Sequence, residues 1–327
     1  MTSKKQPQSP SRRRLSGALA ALGAAPVIAP LAFPLGARAA QPLRIGYQKS
    51  SSLFILLKAR GTLEKQFAAR GIEVKWVEFT SGLPLLEGLN VGSIDLSADV
   101  ADTVPLFAQA AGAKLTYVTS EAPSPDAQAI VVPPASPLKG VAELKGKKVA
   151  LAKGAGVQYL LLQALERNGL NFRDIEPAYL NPADARAAFE RGSVDAWAIW
   201  DPFLAAVQRQ AGARVLTSGR GLASYRRFYL GATPYVEKNP EVVRAIVQEL
   251  RATGQWVKQN AAEAAAFHAP LIGLDAATAE AANARRSYAV EPVSPEALTE
   301  QQRIADSFTQ AGLLPKRITL KEVPVWS

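Results

Sequence analysis

Two tetrads of one kind, Gly92-Ser93-Ile94-Asp95 and Gly192-Ser193-Val194-Asp195, stand one hundred residues apart. Each closes a helical stretch and opens a hydrophobic strand, and this duplication constrains the fold more than any other feature. The first unit reads as a strand from Leu43 to Tyr47, then an amphipathic helix from Leu53 to Phe67 broken near Gly61. A strand from Ile72 to Phe79 alternates with period two, and Thr80-Ser81-Gly82 leads into a helix from Pro84 to Asn90. The second unit repeats the plan. A strand at 148–152 precedes a helix from Val157 to Asn168, stopped by Gly169, and a strand follows from Ile175 to Leu180. Asn181 and Pro182 then supply an N-cap and a first helical residue. Gly92 and Gly192 read as left-handed helix ends.

Alternating strands and helices predict two α/β lobes with parallel sheets covered on both faces. Such sheets bind ligands beyond the carboxyl ends of their strands, so two facing lobes predict a ligand cleft between them. Pro133 to Pro137 reads as a connector and Phe228 to Ala232 as the strand that carries the chain back. Lobe 1 is therefore expected over 40–133 and 232–327, and lobe 2 over 134–231. Helical stretches at 240–259, 261–266 and 294–311 are expected to complete lobe 1 and brace it against lobe 2.

Residues 1–39 read as an address. Lys4, Lys5 and Arg12 to Arg14 precede the apolar run from Leu15 to Ala25, and Ala37-Arg38-Ala39 offers a small-x-small cleavage site. Pro26, Pro30 and Pro34 interrupt any membrane span. Ser11-Arg12-Arg13-Arg14-Leu15 resembles a twin-arginine export signal. A cleaved leader and a free periplasmic protein are expected. The leader also holds six of the 38 basic residues and no acid, which leaves 32 basic against 28 acidic residues in the rest of the chain. So balanced a body predicts no nucleic-acid partner.

The inventory removes several chemistries. With no cysteine and one histidine, His268, there is no thiolate catalysis and no multi-histidine metal centre, and any Ser-His-Asp triad must use His268. His268 has no suitable serine or aspartate beside it and reads as a surface or helix-end residue. No metal, cofactor or catalytic residue is expected. Tyr159 replaces the third glycine of a dinucleotide fingerprint, and the Gly140 to Lys148 stretch departs from a P-loop in spacing and in its last residue.

Polar loops at strand ends carry the binding chemistry. Lys153, Gly154, Ala155, Gly156, Val157, Gln158 and Tyr159 follow a strand and open a helix, where close backbone amides and the helix start favour a small anion. Gln48, Lys49, Ser50 and Ser51 hold the matching place after the first strand, and Thr80, Ser81 and Gly82 after the second. Each set alone is an ordinary helix start; together they predict a convergent anion pocket. Trp200 is expected to wall an apolar part of the ligand. Asp201 reads as a cap on the next helix. Asp99 and Asp102 hold its place in lobe 1, and each is a candidate cap or a candidate to meet a ligand ammonium or to hold Lys49 or Lys153 across the cleft; all three are counted among the candidate site residues. Arg226 and Arg227 are placed where they could reach the cleft, but read rather as a solvated loop.

These residues resemble a known family. Leu43-Arg44-Ile45-Gly46-Tyr47-Gln48-Lys49, Leu89-Asn90-Val91-Gly92-Ser93-Ile94-Asp95-Leu96, Phe107-Ala108-Gln109-Ala110-Ala111-Gly112-Ala113, Pro182-Ala183-Asp184-Ala185-Arg186-Ala187-Ala188-Phe189 and Asp195-Ala196-Trp197-Ala198-Ile199-Trp200-Asp201-Pro202 are similar to the aliphatic sulfonate-binding proteins of bacterial ABC importers. The resemblance spans nearly all of residues 43–327. It implies a two-lobed periplasmic-binding-protein fold of type II, non-catalytic capture of an alkanesulfonate by lobe closure for sulfur assimilation, and a monomer that delivers to an ABC permease in the inner membrane. By position it implies sulfonate-facing loops starting at Gln48, Ser81, Asp99 and Gly154, plus Trp200. Ala155, Val157 and Gln158 depart from the hydroxyl-rich run common in the family, and Ser97 to Thr103 departs from a Gly-Ser-Thr-Gly-Asp-like run. The alternatives are another small anion (taurine, a sulfate ester or nitrate) or an enzyme acting on a small anionic substrate.

Overall fold

The computed structural model describes residues 42–327, so the expected leader and its cleavage site lie outside the described residues. The first unit contains β1 (Leu43–Tyr47), α1 (Ser52–Arg60), α2 (Thr62–Ala68), β2 (Val74–Glu78), α3 (Gly82–Asn90), β3 (Leu96–Ala101), α4 (Val104–Ala110) and β4 (Leu115–Glu121). Next come β5 (Gln128–Val132), β6 (Lys148–Leu151), α5 (Gly156–Arg167), β7 (Glu176–Tyr179), α6 (Pro182–Glu190), β8 (Ala196–Trp200), α7 (Phe203–Ala211) and β9 (Arg214–Ser218). The chain ends with β10 (Arg227–Ala232), α8 (Thr233–Lys238), α9 (Pro240–Gln259), α10 (Ala261–Ile272), α11 (Ala276–Arg285), β11 (Val290–Glu291) and α12 (Pro295–Gln310).

Two sheets form, with orders β2-β1-β3-β10-β4-β11 and β7-β6-β8-β5-β9. In each, the three strands of the repeated unit pair in parallel: β1 with β2 and β3, and β6 with β7 and β8. The sheets are not parallel throughout, as expected from the sequence, but mixed. β5 runs antiparallel to β8 and β9, and β10 runs antiparallel to β3 and β4. The reason is the exchange of chain between the units. Each unit receives one strand from the other, and that strand enters from the cleft side and runs against its neighbours. Thus 128–132, on the lobe 1 side of the expected boundary, pairs in the second sheet, and 227–231 pairs in the first.

The tetrads do equivalent work in the two units. Gly92 and Gly192 have φ of 72° and 69°, a conformation that costs little only for glycine. Each then hands the chain to an aspartate clamped on the unit's first strand. The Asp95 N–H donates to the Arg44 carbonyl at 2.8 Å while its Oδ2 accepts from the Arg44 N–H at 2.8 Å. Asp195 makes the same reciprocal pair with Lys148, both bonds 2.8 Å. Asn181 caps α6 as the sequence predicts, accepting from the Ala183 and Asp184 amides at 3.0 Å.

The helical tail packs on the first sheet, with α9 laying Val243, Ile246, Val247 and Leu250 into the core beside Leu53, Phe54 and Leu57 of α1. His268 lies within α10 and is 2% exposed, not at the surface as its sequence suggests, and neither imidazole nitrogen has a hydrogen-bond partner. Burial, reinforced by the Arg286 charge, pushes its pKa down to about 4. The unfolded chain takes up a proton near the ordinary value of 6.5 and the folded chain only near 4, so the stability that neutral His268 preserves is lost as pH falls through that window. His268→Asn is expected to gain about 2 kcal/mol on the wild type between pH 8 and pH 5, read from paired chemical denaturations. A shared pH profile for the two proteins would contradict it. Because His268 is the only histidine, a single imidazole resonance that stays flat from pH 8 to 5 is the companion observation.

Candidate ligand-binding cleft

Three helices start where the carboxyl ends of the strands of both units converge: α1 after β1, α3 after β2, and α5 after β6. Their first turns share an omission. None has a side-chain cap and none has an acidic residue in its first turn. The N-cap positions are Ser51, Ser81 and Ala155, yet neither serine caps its helix; the Ser51 hydroxyl instead accepts from the Gln48 amide at 3.2 Å. By contrast α6, α11 and α12 are capped by Asn181, Asp275 and Ser294. A helix start leaves orphan N–H donors and positive potential, and a side-chain cap or first-turn carboxylate would satisfy them. α4 and α8 share the omission, so it does not by itself mark a site; residues at the starts of α1, α3 and α5 line one pocket, which makes these three starts candidates to meet an anion.

Gln48 and Ser50 from the first loop, Gly82 of α3 and Ala101 and Val104 around the end of β3 form one wall of the pocket. Ala155 and Gly156 at the start of α5, with Trp200 at the end of β8, form the other. Tyr225 and Arg227 close the base. The enclosed volume is about 20 Å³, room for one water-sized group. The two walls therefore lie close against one another around the pocket. Across the seam the Thr103 hydroxyl donates to the Gly154 carbonyl at 2.7 Å, and the Tyr159 and Phe107 rings lie 6.0 Å and 5.4 Å from the Phe308 ring.

Tyr225 and Arg227 line the pocket although neither is among the expected ligand-binding residues. The expected solvated loop is instead the buried start of β10, where Arg227 is 2% and Tyr225 3% exposed. Tyr225 takes φ of 55°, an unfavourable value for a bulky residue, and its hydroxyl accepts from Arg227 Nη2 at 3.2 Å. Beneath the pocket Arg227 joins a buried quartet. It bonds Asp99, which Arg286 also meets at 3.0 Å, and Arg286 in turn grips Glu121, with Nε to Oε2 at 2.7 Å. Arg286 Nη1 also donates to the Ser50 carbonyl at 2.7 Å, so the quartet fixes the first loop. Burial alone would lower the Arg286 pKa, but Asp99 and Glu121 outweigh it and raise it well above the ordinary value. Two buried side-chain donors of the pocket-lining residues have no protein partner: the Ser50 hydroxyl and Arg227 Nε.

The remaining expected site residues are placed as follows. Lys49, Thr80 and Lys153 are exposed and do not line the pocket, and Ser81 is half-buried. Val157 belongs to the core, and Gln158 braces the loop by accepting from the Gly154 amide at 2.7 Å. Tyr159 is half-buried at the seam. Asp99 does not hold either lysine: both arginines meet its Oδ2, while its Oδ1 is buried without a hydrogen-bond partner. Asp102 accepts from the Arg226 amide at 3.2 Å; burial, reinforced by Glu300, pushes its pKa up to about 7. Asp201 caps α7 by accepting from the Ala205 amide at 2.9 Å and pairs with Arg285; burial raises its pKa to about 7 against the pull of Arg285. Among the described residues no group of three or more histidines or acids could hold a metal ion.

A sequence profile of the NMT1-like family matches residues 37–272. The alkanesulfonate-binding protein of Xanthomonas axonopodis pv. citri, solved bound to MOPS, superposes with a TM-score of 0.83 at 43% identity, over 88% of this chain and 98% of that one. This chain belongs to the aliphatic sulfonate-binding protein family. The periplasmic aliphatic sulphonate binding protein of Escherichia coli superposes with a TM-score of 0.78 at 44% identity, over 86% of this chain and 91% of that one. A relative from Bacillus subtilis (strain 168), named for binding aliphatic sulfonates, is 34% identical over 282 residues, 86% of this chain and 85% of its own length. The family membership fixes the architecture as the two-lobed periplasmic-binding fold, in agreement with the two sheet orders. It also sets the departures of the second-lobe loop in context. Of the three unusual residues, Val157 fills the core, Gln158 props the loop and Ala155 lines the pocket beside Gly156.

Proposed function

We propose that this protein is the substrate-binding component of an ABC importer, capturing an alkanesulfonate between its lobes and releasing it unaltered. The observation that carries this is the set of three uncapped, acid-free helix starts converging on a pocket where Ser50 and Arg227 hold unpartnered donors. A sulfonate is ionised at any physiological pH and offers three acceptor oxygens, which suits such donors. Each charge-assisted hydrogen bond contributes on the order of 1.5–3 kcal/mol. The ligand-facing set is Gln48, Ser50, Gly82, Gly156, Trp200, Tyr225 and Arg227. The tail lies along Trp200 and Ala155. A plain alkyl tail is favoured over an aminoalkyl one, because neither Asp99 nor Asp201 lines the pocket and each pairs with arginine.

The relatives are named for binding and not for a reaction, which supports capture over catalysis. The protein works as a monomer in the periplasm, exported by its basic and apolar N-terminus, and its cognate permease lies in the inner membrane. The first sheet with α1 to α4 and α8 to α12 forms lobe 1, and the second sheet with α5 to α7 forms lobe 2. Calorimetric titration of ligand-stripped protein with methane- to hexanesulfonate tests the assignment. Affinity is expected to rise about fourfold per methylene, the equivalent of about 0.8 kcal/mol, until the tail reaches solvent. Taurine, nitrate and a sulfate ester serve as competitors. Absence of heat with every sulfonate, or tighter binding of taurine than of ethanesulfonate, would overturn the reading.

A further inference from the structure

The two lobes also meet away from the pocket, through side chains that do not line it. Arg285, the last residue of α11, donates from Nη1 to Asp201 Oδ1 and Oδ2 at 3.1 and 3.3 Å, and from Nη2 to Gln208 Oε1 at 2.6 Å. Arg209 Nε donates to Thr278 Oγ1 at 3.1 Å. Thr278 is itself fixed by Asp275, its amide to Oδ1 at 2.8 Å and its hydroxyl to Oδ2 at 2.6 Å. One side of this contact is α7, which follows β8 of the second sheet. The other is α11, which packs through α10 onto the first-sheet unit.

Asp201 makes the contact consequential. It directly follows Trp200, a wall of the pocket, and its Oδ1 also caps α7. One carboxylate thus joins the pocket wall, the helix behind it and an arginine from the other lobe. We propose that this α7–α11 clasp sets the balance between open and closed lobes, and so tunes ligand affinity without touching the ligand. Bonds between two moving bodies add free energy only to the arrangement in which both partners meet. A ligand gripped from both sides binds with an apparent affinity scaled by the fraction of protein already closed. The buried Asp201 also makes the effect asymmetric, since loss of Arg285 leaves a desolvated carboxylate uncompensated in the closed form. A solvent-open cavity of about 280 Å³ lies beside Arg285 and Gln208, giving the guanidinium water to move into when the pair parts.

The affinity arm of the test rests on the sulfonate reading; the distance arm does not. The chain has no cysteine, so Val91→Cys and Arg191→Cys place one spin label on each lobe, at the exposed turns before the paired glycines and remote from the pocket. Pulsed dipolar distances are measured with and without saturating ethanesulfonate. In Arg285→Met the ligand-free distribution is expected to move away from the ligand-saturated one, the saturated distribution to stay in place, and affinity to fall about five- to tenfold. Arg285→Lys is expected to recover part of both changes. Arg209→Met, which removes only the Thr278 bond from an exposed residue, is expected to give a smaller shift of the same sign and serves if Arg285→Met does not fold. An unmoved ligand-free distribution in a folded variant overturns the clasp, whether or not affinity falls. If the unsubstituted protein binds no sulfonate, the functional reading fails while the ligand-free distances still decide the clasp.

Discussion

Gly156→Asp is expected to abolish binding, lowering affinity for any alkanesulfonate by at least about a hundredfold while the ligand-free protein stays folded. The charge is one reason, since a carboxylate at the start of α5 repels the anion and satisfies the amides meant for it. Contact across the cleft is the second. A Cβ at position 156 would lie 2.6 and 2.8 Å from ring carbons of Tyr225 and 2.9 Å from the Ala101 Cβ. Ala101 belongs to the opposite wall and Tyr225 to the base of the pocket, so the clash is expected to oppose the approach of the two walls more than folding. Gly156→Ala separates the two effects and is expected to weaken binding about tenfold with the melting temperature within a few degrees of wild type. Calorimetry with ethanesulfonate, alongside thermal melts, checks both. Retained affinity in a folded Gly156→Asp protein would remove α5 from the site.

Arg286→Met is expected to have the largest effect on stability. The guanidinium sits between Asp99 and Glu121, both fully buried, and its loss leaves Glu121 with only the Tyr229 hydroxyl and Asp99 with only Arg227 and its neighbours. Removing one partner of a buried ion network costs about 3–5 kcal/mol, which for a domain of this size lowers the melting temperature by roughly 10 °C. Adding Glu121→Gln is expected to restore a substantial part, because the stranded charge leaves with it. Equal melting temperatures for Arg286→Met and wild type, or no recovery in the double variant, would contradict this. The Ser50 loop loses its Arg286 tether as well, so any residual folded protein is expected to bind more weakly.

What could be read from the sequence was set by locality. The tetrads, the break at Gly61 and the Asn181-Pro182 helix start are encoded within a few residues, and the structure has them where the pattern put them. The antiparallel course of β5 and β10 was not legible, because Gln128-Ala-Ile-Val-Val is an apolar run that reads alike in either direction. Arg227 escaped for a related reason. An arginine before an apolar strand looks solvated unless its partner is known, and Asp99 lies 128 residues away. Lys49 and Lys153 erred in the opposite sense. Their loops do reach the cleft, but their charged ends stay in water, where a strongly hydrated ammonium on a flexible stem is favoured. His268 did carry a signal, since the apolar Ala264-Ala265-Ala266-Phe267 beside it is unlike a surface stretch.

In the proposed function, uncapped helix starts from both lobes, with Ser50 and Arg227, hold the ionised headgroup. A crystal structure grown with saturating ethanesulfonate tests it most directly. Sulfonate oxygens are expected within hydrogen-bonding distance of the Gly82 and Gly156 amides and of Ser50 or Arg227, with the ethyl group against Trp200. A headgroup held at the rim by Lys49 and Lys153, with the amides of α3 and α5 bonded elsewhere, would contradict it.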